Sequence, residues 1–160
     1  MRKHILISAI FAILIFAQTA CAEPHERALD YFVQAFRGAG FEFATETETP
    51  HFQMIGAIDG VLFPIGGQKV VLYEFTDVEY LGIVTEIFDF IQEDGWMWNG
   101  RFLLETNITE ARKFFTTLEI PEHINAMVTQ LDYEPLTVEQ LHHMAEIFEQ
   151  FFEDMRQLGF

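Results

Sequence analysis

The fold is decided by residues 59–75, which read DGVLFPIGGQKVVLYEF. Two β-prone runs, Val61–Ile65 and Lys69–Phe75, flank Gly66-Gly67, and a glycine pair between such runs predicts a tight hairpin turn. Pro64 has no amide proton to donate to a neighbouring strand, so its strand is predicted to lie at a sheet edge. The stretch therefore predicts an antiparallel hairpin with one edge strand.

The sequence before this hairpin predicts more β-structure and one helix. Phe52–Ile58 is predicted as a strand, and Asp59-Gly60 as a tight turn joining it to the hairpin, because both residues tolerate positive φ. Phe and Thr alternate with Glu over Phe41–Thr49, which predicts a strand whose polar second half lies near an edge. Apolar residues at helical spacing predict a helix over Glu23–Arg37, ended by Gly38.

The sequence after the hairpin begins with a helix and a strand region. Asp77 is predicted to cap a helix over Val78–Asp94, whose apolar residues form a wide stripe. Trp96–Thr106 is predicted as strand, with Asn99-Gly100 as a bend or hairpin turn. This region would extend the antiparallel sheet.

Three more helices are predicted towards the C-terminus. A capping box with Glu110 opens a short helix in Asn107–Leu118, and a second box with Gln140 opens a long helix in Thr137–Leu158. Between them, proline at a first helical position predicts a helix over Pro121–Leu131.

This order of elements predicts an α+β fold class, with a mainly antiparallel sheet of about four to five strands, helices packed on one face and a helical C-terminus. Residues 1–20 are predicted to be a signal peptide, residues 21–120 an α+β domain, and residues 121–160 a helical extension packed on that domain. The segment 131–136 is too short to separate independent domains.

The composition excludes several classes of protein. Half of the 160 residues are hydrophobic and 15% are aromatic, which excludes a disordered chain. Nine Lys and Arg stand against 25 Asp and Glu, for a net charge of −16, so nucleic acid is not an expected partner. One cysteine excludes a disulfide framework and a Cys-rich zinc site. No cofactor-binding or catalytic motif occurs, and no cofactor is predicted.

The first 20 residues predict export. Arg2 and Lys3 precede the apolar run Ile5–Ala17, which is too short to span a bilayer and fits a secretory signal. Gln18-Thr19-Ala20-Cys21 resembles the lipobox of bacterial lipoproteins, although Gln18 stands where that family usually has an aliphatic residue. The resemblance implies that Cys21 is acylated, with palmitate-type chains, becomes the mature N-terminus and anchors the protein to a membrane.

Cleavage after Ala22 remains an alternative, because Ala20-Cys21-Ala22 is an A-x-A site. The product would be a soluble periplasmic or secreted protein. In the lipoprotein alternative, Ala22 is not the Asp typical of inner-membrane retention, which by resemblance favours the outer membrane where a cell has two membranes. Removal of residues 1–20 leaves 7 basic against 25 acidic residues, a charge of −18, and anionic headgroups would repel such a domain.

Three stretches together resemble a group of small bacterial lipoproteins with no assigned activity. They are Met54–Gly60, Val71–Phe75 and Gly100–Asn107. The resemblance implies an export-associated α+β domain, and it carries over no catalytic residue. It covers roughly residues 25–118, so the helical C-terminus lies outside it.

The last predicted helix carries a candidate metal site. Glu139, His142 and Glu146 share one helix face, and a Glu-x-x-His pair has the spacing of half a di-metal site in a helix bundle. No second such pair occurs on another helix, so a solvated acidic face is the simpler interpretation. The helix is apolar more than halfway round, which suggests a homodimer through this helix.

Two further groups of residues are candidates for chemistry or binding. Trp96 and Trp98 lie on one side of a predicted strand and could form an aromatic platform for a sugar or peptide, or face the core. The second group is His51, Asp59, Tyr73 and Glu74 on or beside the hairpin, which could serve acid–base catalysis if the fold brings them together.

An export signal without a catalytic motif favours a non-enzymatic binding or structural role in the cell envelope, with an unidentified envelope component as partner. Two alternatives stay open. One is an envelope hydrolase that uses carboxylates and His51. The other is a secreted ligand-binding module that uses the Trp96 and Trp98 surface.

Overall fold

The computed structural model describes residues 27–44, 47–92, 94–127 and 134–158. Its strands form one antiparallel sheet in the order β1-β2-β4-β3. The strands are β1 (Asp59–Ile65), β2 (Gln68–Glu74), β3 (Trp96–Asn99) and β4 (Phe102–Glu105). Together with the helices, this sheet confirms the predicted α+β class.

The described helices are α1 (Ala28–Gly38), α2 (Val78–Ile87), α3 (Thr109–Thr117), α4 (Glu122–Ala126) and α5 (Val138–Leu158). Short 3₁₀ turns cover Phe52–Ile55 and Asp89–Gln92. Within the described ranges, no helix combines the length and the hydropathy needed to cross a bilayer. The predicted signal peptide and Cys21 lie outside those ranges.

The helices lie on both faces of the sheet, so their predicted placement on one face is wrong. Val70 and Leu72 of β2 belong to a first core with α1, α3 and α4. Val71 and Tyr73 belong to a second core with α2, α5 and the two 3₁₀ turns. The central strands bury apolar side chains on both sides, and each side needs its own cover.

Both tight hairpins sit where glycines permit positive φ. Gly66 and Gly67, with φ of 58° and 80°, join β1 to β2, which confirms the predicted turn. Pro64 lies in β1, an edge strand as predicted. The predicted strand Trp96–Thr106 folds into β3 and β4 around Gly100-Arg101, one residue later than the predicted Asn99-Gly100 turn.

The predicted strand Phe52–Ile58 and the turn at Asp59-Gly60 are both wrong. Phe52–Ile55 is a 3₁₀ turn, and Asp59 and Gly60 begin β1. Position 60 requires glycine because of close packing and not because of a positive φ. A Cβ on Gly60 would lie 2.8 Å from Pro50 Cγ and 2.9 Å from Phe52 Cβ. Asp59 pairs with Glu74 of β2, and its carboxylate also binds an arginine at the start of α1.

The predicted strand Phe41–Thr49 is reduced, among its described residues, to one bridge between Glu48 and Leu62 of β1. The bridge has two backbone hydrogen bonds of 2.9 and 2.8 Å, and it lies beside the edge strand. Phe41 and Phe43 pack against the first core instead of alternating along a ladder. Packing of both half-buried rings on the α1 side outweighs the local strand pattern.

Several helix ends also differ from prediction. The second helix stops at Ile87 instead of Asp94, and Phe88 is extended. α4 stops at Ala126 instead of Leu131, because Met127 is extended. Ile108, not Asn107, is the N-cap of α3. The predicted caps at Asp77 and at Thr137 with Gln140 are confirmed by their hydrogen bonds.

Candidate functional site

An open groove of about 570 Å³ lies between α5 and the end of α2 with its following 3₁₀ turn. Its floor is aromatic. The Phe148 ring lies 5.9 Å from Phe88 and 5.6 Å from Phe90, and Phe152 lies 6.2 Å from Phe90, measured between ring centroids. We call this site the aromatic groove.

One wall of the aromatic groove follows from the early end of α2. The extended Phe88 backbone ends the helix and buries its ring, and the 3₁₀ turn then buries Ile91 while leaving Phe90 half-buried. Gln92 Nε2 donates to Thr85 O at 2.9 Å. This bond ties the turn back to α2 and so holds Phe90 towards α5.

The other wall is α5, whose N-terminal part is fixed to the domain. Leu141 is fully buried in the second core. Just before the helix, the Tyr80 hydroxyl donates to Leu136 O at 2.7 Å. A reciprocal cap between Thr137 and Gln140 satisfies two backbone amides. The helix therefore leaves this end in a set direction, and its later residues flank the groove.

The rim of the groove is acidic. Four exposed carboxylates line it, and one exposed arginine is the basic member: Asp89, Glu146, Glu149, Glu153 and Arg156. Arg156 Nη1 lies 3.3 Å from Glu153 Oε2, so its charge is largely offset within the rim. An occupant of this groove meets aromatic rings below and net negative charge at the sides.

A second apolar stripe runs along α5 beside the groove. Phe151 is 55% exposed, Leu158 is 72% exposed and Ile147 is nearly half exposed. Phe151 lies 5.8 Å from Phe152, which makes the stripe continuous with the groove floor. Large exposed apolar side chains in one patch are characteristic of interaction surfaces.

Trp96 and Trp98, the predicted platform, have different surroundings. Trp96 is half-buried, stacked on Tyr73 with a 5.9 Å centroid distance and 19° between planes, and 5.8 Å from Phe90. Trp98 is 56% exposed. The structure therefore joins Trp96 to the aromatic groove through Phe90 and leaves Trp98 at the surface.

A smaller polar pocket of about 300 Å³ opens beside Trp96. Glu105 is central to it, accepting from Lys69 Nζ at 3.0 Å and from the Tyr73 hydroxyl at 2.8 Å. Burial, followed by the nearby charge of Glu105, raises the pKa of Tyr73 well above its usual range. The phenol therefore stays protonated and acts as a hydrogen-bond donor.

The candidate metal ligands do not assemble. Glu139, His142 and Glu146 are all exposed on α5. Glu146 Oε2 lies 3.6 Å from Nδ1 of His143, not of His142. Among the described residues, no three His, Cys, Asp or Glu side chains are grouped closely enough to hold a metal ion.

The two candidate acid–base carboxylates are engaged in separate ion pairs. Asp59 accepts Arg27 Nε at 2.8 Å and Nη2 at 2.6 Å, and these bonds raise the pKa of the guanidinium. Glu74 accepts Arg101 Nη2 at 2.7 Å. His51 is exposed at the start of the first 3₁₀ turn. The two carboxylates are ladder partners, but each is neutralised by an arginine.

Sequence reasoning missed Phe90, Lys69 and Glu105 as site residues. Phe90 lies off the apolar stripe predicted for the second helix, and a large aromatic at such a position was the signal that the helix ends earlier. Lys69 and Glu105 come together only through the pairing of β2 with β4, which no local pattern specifies.

No family model, no curated protein and no solved structure matches this chain.

Proposed function

We propose that this chain is an exported envelope protein, anchored through acylated Cys21, that binds a protein partner and has no enzymatic role. The leader of residues 1–20 and the lipobox-like Gln18–Cys21 support the anchoring. The single observation that carries the binding role is the aromatic groove, because it presents rings of Phe148 and Phe152 at an accessible surface. Exposed aromatic rings are enriched at protein interfaces.

The anchoring is tested by the intact mass of the native protein in separated membrane and soluble fractions. The expected result is a membrane-bound chain that begins at Cys21 and carries added acyl mass, with no such species from Cys21→Ala. A soluble, unmodified chain that begins at Glu23 would instead establish ordinary signal cleavage and remove the anchor from the proposal.

The binding role is tested by photo-crosslinking in cells. A photoreactive residue replaces Phe152 in the groove, and the matched control replaces Glu119, an exposed residue next to the first core. We expect a defined envelope adduct from position 152 and none from position 119. Equal adducts from both positions, or none from either, would contradict a specific surface at the groove.

The pocket beside Trp96 supports a second candidate, a ligand-binding module for a sugar-like molecule. An indole ring beside Lys69, Glu105 and Asn107 offers an apolar surface with hydrogen-bonding groups around it, which suits a polyhydroxylated ring. The test is tryptophan fluorescence during titration with oligosaccharides. A saturable change that Trp96→Phe abolishes and Trp98→Phe retains supports this candidate, and no change rejects it.

A further inference from the structure

We infer that the aromatic groove receives a basic amphipathic helix from a partner protein, an inference that rests on the binding role proposed above. The partner would place an apolar stripe on Phe148 and Phe152 and basic side chains against the acidic rim. This is the helix-in-groove mode of recognition, in which apolar anchors recur every three or four residues.

The shape of the groove supports a helix as the occupant. Its α5 wall runs from Ala145 to Arg156, which is about 16 Å at 1.5 Å per residue, or roughly three helical turns. The α5 wall satisfies its backbone groups within the helix over this stretch, so on that side the side chains must provide the recognition. A short helix meets that requirement because its backbone is likewise satisfied.

The charge of the rim determines which helix fits. Asp89, Glu146 and Glu149 have exposed carboxylates, and Glu153 is paired with Arg156. Lys or Arg beside the apolar anchors would be attracted to these groups, while an acidic helix would be repelled.

The same charges argue against a second copy of this chain as the occupant. α5 contains five acidic residues and one arginine: Glu139, Glu146, Glu149, Glu153, Asp154 and Arg156. Pairing two such helices would bring like charges together over their length. Anionic lipid headgroups are disfavoured for the same reason.

The test uses the membrane-bound protein in phosphatidylcholine nanodiscs, with empty nanodiscs as the blank. Two dye-labelled peptides of about 14 residues share a Leu and Phe stripe and differ only in carrying Lys or Glu on the flanks. Fluorescence anisotropy measures their affinities at low salt. We expect the Lys peptide to bind at least about tenfold more tightly than the Glu peptide.

Two variants test the location of the site. Glu149→Lys with Glu153→Lys should weaken the Lys peptide about tenfold and improve the Glu peptide. Phe152→Ala should weaken both peptides, since it removes part of the shared floor. The matched control, Glu42→Lys with Glu119→Lys, changes charge equally at exposed sites beside the first core and should leave both affinities unchanged.

Equal binding of the two peptides, or indifference to the Glu149 and Glu153 reversals, would overturn the inference. So would sedimentation showing a dimer that Phe152→Ala dissociates and that excludes the peptide, because a second copy would then occupy the groove. The crosslinking experiment described above separates this inference from the binding role. An envelope adduct from position 152 together with no binding of the Lys peptide contradicts only this inference, whereas the absence of any adduct contradicts the binding role itself.

Discussion

Arg101 binds the fully buried carboxylate of Glu74, with 2.7 Å between Nη2 and Oε1. The same guanidinium donates to Met127 O at 2.6 Å and to Asn125 O at 3.2 Å. One side chain in the β3–β4 hairpin therefore joins the central strand β2 to the end of α4. The pair fixes the position of α4 over the first core.

Removal of one member of this pair should be strongly destabilising. Glu74→Leu leaves the Arg101 charge buried without its carboxylate, which costs about 3–5 kcal/mol. The double variant Glu74→Leu with Arg101→Met should lose less than the sum of the single variants, because an apolar pair leaves no buried charge. Urea unfolding of all three variants measures this coupling.

The matched control for that cycle is the surface pair of Arg112 with Asp94, whose atoms are also close at 2.9 Å. Asp94 is 99% exposed at its side chain, so Asp94→Asn should cost less than about 1 kcal/mol. Additive losses at Glu74 and Arg101 would show that the two residues act independently, against the geometry of the pair.

Tyr73 should make the protein less stable in alkaline solution. Its pKa is raised in the folded state by burial and by Glu105, so the folded protein retains a proton that the unfolded chain loses. The contribution of Tyr73 to the free energy of unfolding is fully present below the unfolded pKa of about 10. Above that pH the free energy of unfolding falls by up to about 1.4 kcal/mol per pH unit.

The measurement is urea unfolding between pH 8 and 11 for the wild type and Tyr73→Phe. The wild type should lose more stability over this range than the variant does. Tyr31→Phe is the control, since that hydroxyl bonds Glu119 O at the surface, and it should retain the wild-type slope. The same slope in the Tyr73→Phe variant would show that another group causes the loss.

Gly56 and Gly67 provide a test of how tightly α5 is held. Both have φ near 80°, so alanine is strained at either position by about 1–2 kcal/mol. A Cβ at Gly56 would also lie 2.7 Å from the Tyr80 hydroxyl and 2.8 Å from Leu141 Cδ2, whereas Gly67 has no atom within 4 Å of that position.

Gly56→Ala should therefore cost about 1–3 kcal/mol more than Gly67→Ala, because it overpacks the contact between the 3₁₀ turn and α5. Thermal unfolding gives the difference in stability. Hydrogen exchange should show faster exchange in α5 for Gly56→Ala alone. Similar losses for the two variants would mean that the Leu141 contact yields without cost.

The two tryptophans should differ in how much each contributes to the stability of the fold. Trp96→Ala removes a ring stacked on Tyr73 and close to Phe90, and it should cost about 2–4 kcal/mol. Trp98→Ala removes a mostly exposed ring and should change stability by less than about 0.5 kcal/mol. Urea unfolding of both variants checks this, and a large loss for Trp98→Ala would contradict its exposed position.

The sequence predicts best those elements whose signals are local. Gly66-Gly67 specifies its own turn, and Asp77 and Thr137 cap the helices that follow them. The α+β class follows from the order of such elements. These features need only the conformational preferences of a few adjacent residues.

Features that depend on distant contacts could not be predicted in this way. Asp59 and Gly60 are typical turn residues, but they pair with Glu74 and Tyr73 of β2, and Asp59 also binds Arg27. The aromatic groove likewise requires Phe90 to meet Phe148 across 58 residues of chain. Tertiary packing decided these positions over local preference.

The Arg27–Asp59 pair also has a consequence for orientation. Six residues lead from Cys21 to Arg27, and a fully extended chain of that length spans about 20 Å. Under the proposed acylation, the end of β1 that holds the Arg27–Asp59 pair must stay within that distance of the bilayer. Asp59 lies opposite Glu74, whereas Trp96 is linked through Glu105 to Val71, three ladder positions further along β2.

That spacing places Trp96, and the aromatic groove beyond it, roughly 10 Å further along the strand direction than the Arg27–Asp59 pair. Under the proposed acylation, the short tether limits the distance of this end of the sheet from the bilayer directly, whereas it limits the groove end only through the domain. The groove would then open to the aqueous compartment, where a soluble or tethered partner can reach it.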